Sequence, residues 1–182
     1  LTLIAISVIA IIALLALLAP VISDALGVSY TRTSAQETFL PPGSAGHLLG
    51  TDDLGRDHLS RLLFAGRVSL SVGFIAASLS LGIGVTLGIV TGYYGGIIDS
   101  LLMRFTDMFI SLPSLPLLLL TIYLFRDTLR DKIGPNLGPF LLIVGLIGVT
   151  NWMTVARLVR ASFLSVKEKE FIEAANCIGA TR

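Results

Sequence analysis

Residues 157–182 read RLVRASFLSVKEKEFIEAANCIGATR, a polar-rich stretch that directly follows an apolar run. Ser165 and Glu168 have the S-x-x-E spacing of a capping box, in which two side chains accept hydrogen bonds from free backbone N–H groups at the start of a helix. The spacing therefore predicts that a new helix begins near Val166.

This new helix is predicted to have one apolar face. Four residues recur at the i, i+3, i+4 and i+7 spacing of a helix face, whereas the charged residues lie mostly outside it. These four are Phe171, Ala174, Ala175 and Ile178. Gly179 follows where a glycine commonly ends a helix. Because alanines lie at the centre of the face, a partner's backbone can approach closely. The pattern favours a docking helix, although periodicity alone also permits a solvated helix between two spans.

Residues 173–180, EAANCIGA, resemble the EAA signature of ABC importer permeases. In that family the signature lies in the cytoplasmic loop through which a membrane subunit engages its ATPase. The family's motif continues to a distal Leu-Pro beyond residue 182. The residues to which the resemblance assigns ATPase coupling, and not catalysis, are Glu173, Ala174, Ala175, Gly179, Phe171 and Ile178.

The composition indicates an integral membrane protein. Of the 182 residues, 54% are hydrophobic and 14% are charged, and the mean hydropathy is +0.87, outside the range of an ordinary soluble domain. The formal net charge of +1 gives no indication of nucleic-acid binding. A single cysteine, Cys177, excludes a disulfide or a cysteine-based metal site within these residues. Because the sequence begins with Leu1 and stops inside the signature, we expect a fragment at both ends.

Four apolar runs are long enough to cross a bilayer, which requires about 20 helical residues. These predicted spans are residues 1–22, about 68–91, about 101–125 and about 139–156. A cleaved signal peptide is the alternative for the first run, but the run is too long for a typical h-region and shows no basic n-region. We therefore predict a first transmembrane helix at 1–22, an extracytoplasmic loop at 23–67, and an incomplete permease core at 68–182 that ends in the EAA coupling loop, 157–182.

A second informative stretch, HLLGTDDLGRDHLSRLLFAGRVSL, covers residues 47–70. Asp52 or Asp53 can cap a helix here, and Asp57 and Arg61 can pair at i, i+4. Such a helix would carry its leucines on one face. It is predicted to lie in the membrane interface instead of crossing the bilayer.

The same stretch resembles the G-T-D-x-x-G-R-D-x-x-S-R pattern of the dipeptide, oligopeptide and nickel permease group. The matching residues are Gly50, Thr51, Asp52, Gly55, Arg56, Asp57, Ser60 and Arg61. A metal cluster is an alternative explanation of its acidic residues together with His47 and His58, since imidazole and carboxylate suit transition metals. Capping and ion pairing already explain these residues, so no metal site is predicted.

Small residues step every four positions along the second predicted span, where they form one face. They are Ala76, Ser80, Gly84, Gly88 and Gly92. Such a face brings another helix close, so these glycines are predicted to pack helices together. A dinucleotide-binding function for them is excluded because that fingerprint requires a preceding strand and a βαβ unit.

Charged residues and prolines mark the third predicted span. Arg104 and Asp107 are expected to pair at i, i+3 near the membrane edge. Pro113 and Pro116 are expected to break the helical hydrogen bonding at mid-span. Residues 99–113, DSLLMRFTDMFISLP, also resemble their counterpart in the permease family.

Beyond this span, a polar loop is predicted at residues 126–138. Trp152 is expected at the interfacial end of the fourth span. Arg157 and Arg160 follow it and resemble the family's A-R-x-x-R at this place.

The resemblance implies an all-α membrane protein with the type I ABC importer permease fold: four transmembrane helices, an interfacial amphipathic helix and a cytoplasmic coupling helix. It implies a translocation subunit of an ATP-driven importer, with peptides the commonest cargo and nickel or glutathione as others. The implied partners are ABC ATPase subunits, a second permease subunit, an extracytoplasmic substrate-binding protein and the lipid bilayer, but no nucleic acid.

No phosphate-binding G-x-x-x-x-G-K-[ST] motif occurs in the sequence, so the chain is expected not to be an enzyme. It is expected to bind no cofactor, while ATP and Mg²⁺ act in the partner subunits. A secondary transporter or a membrane assembly scaffold is the alternative, but the charges cluster near span ends, unlike ion-coupled transporters. The expected location is the bacterial or archaeal cytoplasmic (inner) membrane. Lys and Arg divide almost evenly between the two sides, so the cytoplasmic placement of the EAA loop rests on the resemblance.

Overall fold

The computed structural model describes residues 1–179, and all regular secondary structure in this range is helical. Ala180 of the EAA string lies outside the described residues. The seven helices are α1 (Thr2–Leu17), α2 (Ala19–Ala25), α3 (His58–Tyr94), α4 (Gly96–Ser111), α5 (Ser114–Ile133), α6 (Leu137–Lys167) and α7 (Glu170–Cys177).

Two of these helices, α3 and α6, are each long and apolar enough to cross a membrane. The pair α1 and α2 is bent by 60°, and the pair α4 and α5 by 79°; each pair has the length and composition of one broken span. The described residues therefore contain two to four candidate spans. The predicted all-α membrane protein is confirmed at this level.

The chain divides into two compact units, and the first comprises residues 1–71. It holds α1, α2, a loop of turns and the first part of α3. The predicted separate interfacial helix is wrong, because α3 begins at His58 and continues without a break through the second predicted span. Asp57, and not Asp52 or Asp53, caps this helix: its Oδ1 accepts from the backbone N–H of Ser60 at 2.6 Å.

The second unit comprises residues 72–182, of which the structure describes those up to 179. Its buried apolar centre consists of Trp152, Met153 and Ala156 on α6, with Ile83 and Leu87 of α3 packed against them. Trp152 was expected at an interfacial span end, and this expectation is wrong. Because α6 extends well past residue 156, Trp152 lies in the middle of this helix, and packing against α3 leaves it only 5% exposed.

The predicted capping box at Ser165 is also wrong, since this residue lies inside the last turns of α6. Residues 157–167 contain no glycine or proline, and helix elongation adds a hydrogen bond for each further residue. Likewise, α5 continues to Ile133, where Gly134 with φ +109° ends it. The predicted polar loop at 126–138 is therefore reduced to residues 134–136.

The expected break at Pro113 is confirmed. Leu112 before it is extended, with φ −75° and ψ 131°, as a residue preceding proline prefers. Pro116 lies in the first turn of α5, where a missing N–H costs no helical hydrogen bond. A bend of 79° between α4 and α5 results.

Candidate functional site

Helix α7 presents an exposed apolar face. Phe171 is 63% exposed, Ile178 is 88% exposed, and Ala174 between them is also exposed. Ile172 and Ala175 are half-buried, so they lie on the side of α7 that faces its own chain. Three of the four predicted face residues are thus available to a partner, and Ala175 is less so.

Residues at both ends of α7 stabilise it as a short helix separate from α6. Glu170 and Glu173 lie in its first turn, where their negative charges interact favourably with the positive end of the helix dipole. Gly179, just beyond its end, has φ +92°, a conformation that glycine adopts without a steric penalty. Only Glu168 and Lys169 separate α7 from α6. A two-residue linker therefore joins α7 to a helix long enough to cross the membrane.

The three glycines Gly84, Gly88 and Gly92 of α3 lie against α6. A Cβ atom at Gly84 would lie 2.6 Å from Val155 Cβ and 2.8 Å from the carbonyl oxygen of Trp152. Ideal Cβ atoms at Gly88 and Gly92 would each lie 2.7 Å from a side chain of α6. The backbones of α3 and α6 are thus in close contact, which side chains larger than hydrogen would prevent.

We call the contact of Gly84, Gly88 and Gly92 with α6 the glycine seam. Hydrogen bonds along it show the relative direction of α3 and α6. Ser80 Oγ donates to the carbonyl of Gly148 at 2.9 Å. Further along both helices, Lys167 Nζ donates to the carbonyl of Tyr93 at 3.0 Å. Residue numbers increase together along the two helices, so α3 and α6 run parallel.

Two ion pairs join α4 to the second half of α6. The guanidinium of Arg160 makes a bidentate pair with Asp99, Nε donating to Oδ1 at 2.5 Å and Nη2 to Oδ2 at 2.6 Å. Arg157 pairs with Asp107. The predicted pairing of Asp107 with Arg104 is therefore wrong. Pairing across helices could not be inferred from spacing along one helix, so no partner was predicted for Asp99.

In the first unit, Asp52 organises the loop before α3. Its carboxylate is 7% exposed; Oδ1 accepts from the backbone N–H groups of Leu54 and Arg56 at 2.9 Å, and Oδ2 accepts from Arg56 Nε at 2.8 Å and from Arg61. Burial acts to raise the pKa of Asp52, but these backbone hydrogen bonds and the Arg56 guanidinium outweigh it and lower the pKa from 3.8 to about 2.

Asp57 is the second centre of this loop and is 2% exposed. Besides capping α3, its carboxylate lies 2.8 Å from His47 Nδ1. The predicted pairing of Asp57 with Arg61 is wrong, because the cap and the imidazole occupy Asp57 while Arg61 reaches Asp52. Ser60, in the first turn of α3, lies with its Oγ 3.0 Å from Ser23 Oγ, which links α3 to α2.

The remaining motif residues shape the backbone of the same loop. Gly50 and Gly55 have φ +74° and +71°, and a Cβ atom on either would collide with a carbonyl oxygen, that of Leu40 or of Ser34. The Thr51 hydroxyl accepts from the Leu40 N–H at 2.9 Å. Six of the eight motif residues thus lie in one folded loop, and Ser60 and Arg61 lie in the first turn of α3 that follows it. Within residues 1–179, no group of three or more His, Cys, Asp or Glu side chains is arranged to hold a metal ion.

A cavity of about 290 Å³ lies at the break between α4 and α5, beside α6. Its polar lining residues are Ser114, Thr150, Asn151 and Thr154, and its remaining lining is apolar. Asn151 Nδ2 donates to the carbonyl of Ile147 at 2.9 Å, so its amide is already partly satisfied within α6. No pattern in the sequence indicates this cavity, because it depends on how α5 packs beside α6.

Residues 84–182 match the family described as "Binding-protein-dependent transport system inner membrane component". The chain belongs to this family. The match begins at the glycine seam and includes both arginines of the ion pairs and all of α7. The resemblance to importer permeases is therefore confirmed.

Relatives of this inner membrane component include proteins named as dipeptide or oligopeptide permeases. It is 41% identical to the dipeptide transport system permease protein DppC of Bacillus subtilis over 152 residues, covering 84% of this chain and 44% of the relative. It is 35% identical to DppC of Alkalihalophilus pseudofirmus, covering 98% and 54%. The oligopeptide transport system permease protein OppC of Lactococcus lactis subsp. cremoris is 31% identical, with 84% and 49% covered. The chain spans about half the length of these curated relatives.

Proposed function

We propose that this inner membrane component is part of the translocation subunit of an ATP-driven importer with the type I fold. The observation that carries the proposal is α7, a short EAA-containing helix with an exposed apolar face, joined by two residues to a membrane-length helix. A helix presented in this way suits docking into a groove of a partner. A secondary transporter would have no evident use for it.

In the proposed cycle, two partner ATPase subunits bind ATP and Mg²⁺ and press on α7 as they close. The displacement passes into α6, which packs closely on α3 along the glycine seam. A second permease subunit completes the pathway, and an extracytoplasmic binding protein delivers the cargo. We place α7 in the cytoplasm and residues 23–67 outside it, because the EAA resemblance requires this orientation.

We propose dipeptides or oligopeptides as the cargo. Support comes from the names of the relatives, which are dipeptide and oligopeptide permease proteins. Nickel and glutathione, carried by other members of the resembling group, are the competing cargoes. Uptake of labelled dipeptide, oligopeptide, glutathione and nickel in cells that have or lack the intact transporter distinguishes them. Uptake of nickel alone would overturn the peptide assignment.

Photo-crosslinking tests the docking function of α7. The probe belongs at position 174, since Ala174 is exposed whereas Ala175 is half-buried. In native membranes containing the full-length protein, we expect mass spectrometry to identify an ATPase with a Walker motif. A matched probe at the exposed Ala161 of α6 is the control. Capture of only lipid or another membrane protein at position 174 would favour the scaffold or secondary-transporter alternative.

A further inference from the structure

A single residue, Gly95, connects α3 to α4. Gly95 and Gly96, the first residue of α4, both have positive φ, and a Cβ atom on either would meet nothing within 4 Å. Glycines give a backbone more conformational freedom than other residues do. Contacts other than this connection must therefore hold α4 against its neighbours.

The Asp99–Arg160 pair is the more buried of the two ion pairs that join α4 to α6. Its bidentate geometry is the strong form of a carboxylate–guanidinium interaction. The Asp99 side chain is 16% exposed and that of Arg160 is 32% exposed. The Asp107–Arg157 pair is more open, at 58% and 47% exposed, and pairs in such surroundings contribute little.

The position of the Asp99–Arg160 pair connects it to both α7 and the cavity. Arg160 lies in the part of α6 that leads to α7, and Lys167 near the end of α6 holds the last carbonyls of α3. The other end of α4 carries Phe109 and Ile110, which line the cavity at the α4–α5 break. Residues of α6 line the opposite side. The α4 side of this cavity therefore stays in register with the α6 side during a displacement of α6 if α4 follows it.

We propose that Asp99 is a positioning residue for transport: through Arg160 it makes α4 move with α6 when α7 is displaced. The cavity walls then shift as one body during the cycle. This inference rests on the proposed function, because it requires a partner that drives α7. It assigns to the pair a role in coupling, separate from docking.

The test uses the full-length protein in the assembled transporter, reconstituted with its ATPase and binding protein. Peptide transported per ATP hydrolysed is the readout, since a contact that serves only assembly would not alter this ratio. We expect Asp99→Asn to lower the ratio by about fivefold or more, the lower range of coupling between sites. Asp107→Asn is the matched control, expected to change it by less than about twofold.

Exchange of the two charges separates coupling from simple loss of a residue. We expect the double variant Asp99→Arg with Arg160→Asp to recover most of the lost ratio, whereas Arg160→Asp alone does not. Assembled single variants with a normal ratio, or an assembled double variant without recovery, would overturn the proposal. Absence of peptide uptake by the unmodified transporter would instead contradict the proposed function itself.

A crosslink provides a second measurement that does not depend on the charge variants assembling. Cysteines replace Asp99 and Arg160 in a background without other reactive cysteines, and a short bifunctional thiol reagent joins them. If α4 and α6 move together, the joined transporter continues to take up peptide. Uptake that stops on crosslinking and returns on cleavage of the linker would show that the helices separate, and the proposal would be wrong.

Discussion

Individual residues of α7 divide into those that face outward and those that face the chain. Ala174 is exposed between Phe171 and Ile178, and a methyl side chain there leaves room for a partner's backbone. Ala175, its neighbour in the EAA string, is half-buried. The periodicity of the sequence placed all four face residues together, whereas only the structure distinguishes their exposure.

Ala174→Arg in the full-length protein is expected to abolish association with the ATPase. A long charged side chain would occupy the smallest point of the docking face and would have to lose its hydration on binding. Co-purification of the ATPase measures this effect. Ala161→Arg, the same change at an exposed position of α6, should leave the ATPase bound. Equal recovery of ATPase with both variants would contradict the docking role of α7.

The lowered pKa of Asp52 predicts that the stability of the first unit depends on pH. Because folding lowers its pKa from 3.8 to about 2, the ionised carboxylate stabilises the fold fully above its unfolded pKa. That contribution is lost as the pH falls through about 2. Asp52→Asn retains an acceptor oxygen for the backbone N–H groups but removes the charge that Arg56 and Arg61 contact.

We therefore expect Asp52→Asn to lower the melting temperature of the detergent-solubilised protein at neutral pH. The difference from the unmodified protein should stay constant down to about pH 4 and then shrink toward pH 2. Glu37→Gln, at a side chain 42% exposed, is the control and should have a smaller effect. A difference independent of pH down to pH 2 would exclude the ionic role of Asp52.

At the scale of elements, the α3–α6 contact depends on the absence of side chains at one face. Gly84, Gly88 and Gly92 share that face at four-residue spacing, so a packing surface was predictable from the sequence. The partner helix was not, because helix periodicity identifies a face but not what lies against it. The same limit explains why the pairings of Asp99 and Asp107 were missed.

Gly88→Ala is expected to destabilise the protein by about 1–3 kcal/mol, the usual cost of overpacking. A Cβ atom there would lie 2.7 Å from Val159 Cβ and 2.8 Å from the carbonyl oxygen of Ala156. Gly82→Ala on the same helix is the matched control, since its Cβ would meet nothing within 4 Å. Unfolding free energies in detergent or bicelles measure both. Equal stabilities for the two variants would mean that α6 can move away from α3 without cost.

At the scale of the whole molecule, two arrangements serve different purposes. The folded loop before α3 uses its charges internally: Asp52 holds two arginines, and Asp57 holds His47 and the helix start. The second unit instead leaves α7 exposed while fixing α6 to α3 and α4. We interpret the loop as a structural element, and the proposed function assigns coupling to α7 and packing to the glycine seam.

Gly179→Trp distinguishes coupling from a scaffold function. A tryptophan strongly disfavours the φ of +92° found here, so the end of α7 should be distorted. We expect a complex that still assembles but takes up little peptide. Gly179→Asn, which tolerates positive φ better, should retain more uptake. Unchanged uptake with the tryptophan variant, in a complex shown to be intact, would count against ATP coupling through this segment.

The sequence by itself determined the class of protein, the family resemblance, the break at Pro113 and the small-residue face of α3. The class and the resemblance depend on composition and on short motifs. The break and the small-residue face depend on residues within a few turns of each other, where covalent geometry and backbone hydrogen bonding decide the outcome. Tertiary structure decided where α3 begins, how far α5 and α6 continue, which carboxylate meets which arginine, and where the cavity lies. These features depend on contacts between residues distant in the chain, and local spacing carries no information about which distant partner is energetically preferred.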